Sequence, residues 1–100
     1  MTTSLQQSLR VASRVKYLTI RALLALLVVV EANRRLDLGV LAKQLKIPVP
    51  AVTRAVDALC INGFVKRVRN EEDARRIFIV TLQTGKQFVE SLRDATQQHS

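Results

Sequence analysis

The chain has 100 residues, 48% of them apolar and 24% charged, a composition that fits one globular domain, read as spanning 1–100, with a single core. Sixteen Lys and Arg against eight Asp and Glu leave a net charge of +8, which attracts polyanions such as nucleic acid. One cysteine excludes a disulfide scaffold, one histidine leaves no Cys/His set for a metal, and four percent aromatic content requires an aliphatic core.

Ser4-Leu5-Gln6-Gln7 has capping-box spacing, and Leu5, Leu9 and Ala12 recur at helical intervals, predicting a first helix from about Ser4 to Lys16. Residues 22–30 are an unbroken apolar run between Arg21 and Glu31. A bilayer span takes about twenty residues, so the run does not cross a membrane. A signal peptide would use Arg10, Arg14 and Lys16, but its leader would be long and Asn33-Arg34-Arg35 would follow the cleavage site. The run therefore reads as a buried second helix, Thr19 to Ala32, of a cytoplasmic protein. Its Val28-Val29-Val30 end also suits the start of a strand. Asn33 to Asp37 predicts a turn, with a short strand at Leu36-Asp37-Leu38.

Val40 to Leu45 reads as a short third helix, ended by Lys46-Ile47-Pro48-Val49-Pro50. From Pro50 a fourth helix buries Val52, Ala55, Val56 and Leu59, and Asn62-Gly63 ends it, with Gly63 as the left-handed residue. Phe64–Arg69 and Ile77–Leu82 are strand candidates joined by a charged loop without glycine. Thr84-Gly85-Lys86-Gln87 has the spacing of a capping box that opens a last helix, with Phe88, Val89, Leu92 and Ala95 inward.

Two helices joined by a short turn and followed by a hairpin compose a winged helix-turn-helix. The fold class is mainly α with a small β hairpin, in the order helix, helix, helix, helix, hairpin, helix. The fourth helix is the one that enters a DNA major groove, and the third props it. At 100° steps Pro50, Arg54, Asp57 and Ile61 point outward, with Thr53 on the flank. An exposed Arg here can donate two hydrogen bonds to guanine, and Thr53 can bond a phosphate or meet a thymine methyl. Arg54 can equally pair with Asp57 at i+3, a surface contact of about 0.2–0.5 kcal/mol. Lys43, Lys46, Lys66, Arg67 and Arg69 would attract phosphate. Arg10, Arg14, Lys16 and Arg21 form a second basic stretch, either solvated or following flanking phosphates. Cys60 lies off the buried stripe as a small packing residue. No carboxylate pair, no nucleophile with a nearby His and no Gly-rich phosphate loop is present, so the chain does not read as an enzyme, and no cofactor is implied.

Leu41-Ala42-Lys43-Gln44-Leu45, Val52-Thr53-Arg54-Ala55-Val56-Asp57-Ala58-Leu59, Gly63-Phe64-Val65-Lys66-Arg67, Asp73-Ala74-Arg75-Arg76 and Val80-Thr81-Leu82, in this order, resemble the MarR (multiple antibiotic resistance regulator) family. The resemblance covers roughly Leu18 to Leu92. It implies a transcriptional regulator, a repressor in the simplest case, that binds double-stranded DNA as a homodimer. It further implies that Pro50, Ala51, Thr53 and Arg54 face the major groove and that Arg75 or Arg76 reaches the minor groove, the other arginine pairing with Asp73. Dimerisation would use short terminal helices, with Leu5, Leu9, Phe88 and Leu92 as contacts. The sequence departs from the family where Pro48-Val49-Pro50 replaces a small polar helix start, and where Leu82-Gln83-Thr84-Gly85 is one residue short of the usual join. The terminal arms are short, and few aromatic residues are available for the cleft that binds phenolic effectors in many relatives, which leaves an effector open. These departures, with the acidic wing tip Glu71-Glu72, keep a second reading alive: a winged helix that docks on a protein partner.

Overall fold

The computed structural model describes residues 18–97. The predicted helix Ser4–Lys16 lies outside the described residues, and Leu5 and Leu9 with it. The described elements are α1 (Ile20–Ala32), β1 (Leu36–Asp37), α2 (Leu38–Leu45), α3 (Val49–Ile61), β2 (Val65–Arg69), β3 (Ile77–Thr81) and α4 (Gln83–Gln97). Four helices and three antiparallel strands, in the sheet order β1-β3-β2, make a winged helix.

Thr19 starts α1: its hydroxyl oxygen accepts the Ala22 N–H at 3.1 Å and so satisfies one of the helix's orphan donors. The valine run stays helical to Ala32, because Val29 is 1% exposed and its burial outweighs the weak helix preference of β-branched residues. Ala22, Ala25, Leu26 and Val29 form the buried stripe at i, i+3, i+4, i+7. The run is apolar on all sides but is not buried on all sides, since Leu24 is 48% exposed. Among the described residues no helix is long and apolar enough to cross a membrane.

Asp37 moves the next helix two residues earlier than its apolar spacing indicates. Its carboxylate accepts the N–H groups of Gly39 at 2.8 Å and Val40 at 3.3 Å, so α2 begins at Leu38. Leu36 and Asp37 pair with Ile79 and Phe78, which turns the predicted two-stranded hairpin into a three-stranded sheet. Lys46 closes α2 in the left-handed conformation, φ 57°, where glycine is the usual occupant. Pro48 then holds the N-cap of α3 without a side-chain cap, and Pro50 sits in the first turn, where its missing N–H costs no hydrogen bond. Gly63 ends α3 at φ 72° as expected.

The wing loop turns without glycine because two side chains shape it. Asn70 Oδ1 accepts the N–H groups of Glu72 and Asp73, and Asp73 Oδ1 accepts that of Arg75 at 3.1 Å. At the other end of the hairpin the expected capping box does not form. Helix α4 begins at Gln83, and the Thr84 hydroxyl donates to the Gly63 carbonyl instead. The backbone passes so close here that a Cβ on Gly85 would lie 2.3 Å from the Phe64 carbonyl oxygen. Phe88 of α4 stacks on Phe64 with ring centroids 4.6 Å apart. The core unites α1, α2, α3, α4 and the inner sheet face, with Leu26, Leu41, Leu59, Ile79, Val52 and Val56 fully enclosed.

Candidate nucleic-acid interface

Helix α3 buries Val52, Ala55, Val56 and Leu59 and turns its other side outward. Pro50 and Arg54 are exposed, and Ala51 and Thr53 are half-buried beside them. These four residues occupy the first two turns, the part of a recognition helix that reaches base edges. The Thr53 hydroxyl donates to the Val49 carbonyl at 3.0 Å. Its hydrogen is therefore engaged within the helix, leaving the methyl group and the oxygen lone pairs to face a partner.

The i+3 pair between Arg54 and Asp57 does not form. Asp57 accepts from Arg67 of β2, and the same guanidinium donates to the Thr53 carbonyl at 3.3 Å and to Cys60 Sγ at 3.6 Å. Strand alternation is the cause: Arg67 pairs with Ile79, so its side chain leaves the sheet on the face that α3 packs against. Arg67, grouped with the phosphate-attracting residues by charge alone, is instead a strut between α3 and the wing. Arg54 makes no ion pair among the described residues.

The wing arginines divide in an unexpected way. Arg75 donates from Nε to Asp73 at 3.3 Å, yet its side chain is 93% exposed and stands at the tip. Arg76 pairs outside the wing, with its Nε 2.9 Å from Asp37 Oδ2. The Arg76 hydrogen bond, helped by the Gly39 and Val40 N–H groups, holds the Asp37 carboxyl below its ordinary value of 3.8 against the opposing effect of burial. Arg76 is thus bound to the N-cap of α2, which leaves Arg75 as the wing arginine open to solvent. Lys43, Lys46, Lys66 and Arg69 are all exposed.

Sequence spacing missed Arg35, whose guanidinium carbon sits 4.6 Å above the Phe78 ring. With Arg69, Asn70, Glu71, Glu72 and Phe78 it lines a hollow along the wing. A signal was present, since Arg34-Arg35 directly precedes a strand that pairs with β3. Two expected dimer contacts differ in their surroundings. Phe88 is 3% exposed and belongs to the protomer's own core, because the Phe64 ring covers it. Leu92 is half-buried and lines an apolar groove with Leu27, Val89, Arg93 and Thr96. Cys60 is half-buried, and burial pushes its thiol up despite the nearby Arg67 charge, the opposite of an activated thiolate. Among the described residues no group of three His, Cys, Asp or Glu side chains could hold a metal ion.

A family model described as MarR family matches residues 21–77. No curated protein matches the chain. Among solved structures, RV1404 from Mycobacterium tuberculosis superposes with a TM-score of 0.76 at 19% identity, over 96% of this chain and 63% of that one. Reduced AbfR bound to DNA gives 0.74 at 23% identity, over 94% and 65%. FabT from Streptococcus pneumoniae in complex with DNA gives 0.69 at 21% identity, over 84% and 57%. The chain therefore spans less than two thirds of the length of each of these relatives in fold.

Proposed function

The chain belongs to the MarR family, whose members are transcriptional regulators and not enzymes, and we propose that it is a sequence-specific regulator that binds double-stranded DNA. In this reading it acts in the cytoplasm as a homodimer and represses by occluding a promoter. One observation carries the reading: the leading half of α3 offers Pro50, Ala51, Thr53 and Arg54 on an open face, while the nearby acids Asp57 and Asp37 are already paired. Arg54 reads guanine in the major groove, Thr53 packs its methyl against the groove, and Arg75 enters the minor groove. Lys43, Lys46, Lys66 and Arg69 hold the flanking phosphates. That AbfR and FabT are solved on DNA lends further support.

Support for the homodimer comes from α1 and α4. Ile20, Leu24 and Leu27 share one face of α1, and Leu27 continues into the groove that Leu92 lines. A second copy would remove this apolar surface from water.

The test is a genomic-fragment selection with purified, folded protein at physiological salt, read out by sequencing. A near-palindromic motif is the expected result and reports the dimer through its half-site spacing. A single half-site would retain DNA binding without the dimer. No enrichment would overturn the reading in favour of a winged helix that docks on a protein partner, which the exposed acidic residues Glu71 and Glu72 at the wing tip would suit.

A further inference from the structure

Between the first turn of α1 and the flank of α3 lies a cleft of about 180 Å³, lined by Thr19, Arg21, Ala51, Arg54, Ala55 and Ala58. Three alanines and two arginines border it, and among the described residues no acidic side chain does. Arg21 and Arg54 are both exposed, and neither has an ion-pair partner among the described residues. The Thr19 oxygen accepts from the Ala22 N–H, which leaves its hydroxyl hydrogen to donate. Two like charges bordering one small cleft favour an anion there. An arginine fork matches two oxygens of a phosphate, whereas the alanines suit a flat apolar fragment of sugar size.

We propose that this cleft seats one phosphodiester of the DNA backbone, with Arg21 gripping the phosphate and the alanines packing its deoxyribose. The inference rests on the DNA-binding reading above and adds to it a contact that sets the register of α3. A phosphate clamp on a separate helix, bordering the same cleft as Arg54, holds α3 in place on the duplex without carrying sequence information of its own. A free oxyanion shares the phosphate's charge but offers no sugar to the alanines, and the experiment separates the two sources.

The measurement uses the full chain and a duplex carrying the selected motif, with affinity read by fluorescence anisotropy. Wild type, Arg21→Ala and Arg21→Lys are each titrated against a set of duplexes bearing one neutral methylphosphonate at successive positions. Arg21→Ala is expected to weaken binding about tenfold and to reduce the slope of log K against log salt by about one, with the preferred sequence unchanged. One flanking methylphosphonate should weaken wild type by a similar factor and leave Arg21→Ala unaffected, and Arg21→Lys should recover part of the loss. If Arg21→Ala keeps the wild-type slope and no position falls silent, the clamp is wrong while the DNA-binding reading stands. If no backbone position responds but inorganic phosphate competes at matched ionic strength in wild type and not in Arg21→Ala, the cleft takes a free oxyanion and the proposal falls. Wild type that selects no sequence overturns both.

Discussion

Arg54 stands exposed and unpaired among the described residues, so its donors are available to a base edge at no cost of breaking an ion pair. Arg54→Ala should cost about 1–3 kcal/mol of specific binding and relax base preference at one position, as read by anisotropy on a panel of single-base variants. Lys46 carries two opposed demands, a left-handed backbone at φ 57° and an exposed charge beside the recognition helix. Lys46→Gly should raise stability to urea by about 1 kcal/mol, because a side chain in this conformation is strained. The same substitution should lower the salt slope of DNA binding by about one, so stability and affinity move in opposite directions. The exposure of Arg54 was legible from 100° steps along the helix. Its independence from Asp57 was not, because the competing partner, Arg67, lies on another element and reaches α3 only through the pleat of β2.

Among the elements, the docking of α4 against the turn that follows α3 depends on a glycine whose necessity is steric. Gly85→Ala would place a Cβ 2.3 Å from the Phe64 carbonyl oxygen, a backbone atom that cannot swing aside. It should cost about 2 kcal/mol or more in chemical denaturation. Gly63→Ala meets nothing within 4 Å and pays only for its φ of 72°, so its cost should be about 1 kcal/mol. Asp37 links three elements as a β1 residue, the N-cap of α2 and the partner of Arg76. Its carboxyl is held below 3.8, so its contribution is present above that pH and is lost as pH falls through the lower folded value. The stability gap between wild type and Asp37→Asn, read from urea curves, should therefore hold at neutral pH and shrink as pH falls below about 5. The short β1 strand was visible in the sequence, but the cap was hidden by Gly39, which makes the start of α2 look like loop. The Thr84 box was misleading for a related reason: the Gly63 carbonyl, brought close by the hairpin, takes up the Thr84 hydroxyl.

For the whole molecule, the net charge of +8 leaves a surplus of cations after Arg67–Asp57 and Arg76–Asp37 join elements and Arg75 pairs with Asp73 at the wing tip. With Arg67 and Arg76 engaged, the exposed Arg21, Lys43, Lys46, Lys66 and Arg69 remain for the backbone phosphates. Neutralising about five phosphates predicts a slope of about −4.5 for log K against log salt, measurable by anisotropy from low to moderate salt. A much shallower slope would show that these cations do not meet the backbone together. Helical and strand periodicities, the proline-led start of α3 and the left-handed Gly63 were readable from the chain alone, and with them the order of the winged helix and most of its core. Those signals are local, set by side-chain spacing of 3.6 or 2 residues and by backbone sterics at single positions. The assignment of each charge was a different matter. Which arginine props α3, which pairs with the cap residue of α2, which is left for DNA, and that Arg21 shares a cleft with Arg54 all depend on distances between elements remote in sequence. Packing of the common core sets those distances, and no spacing along the chain records them.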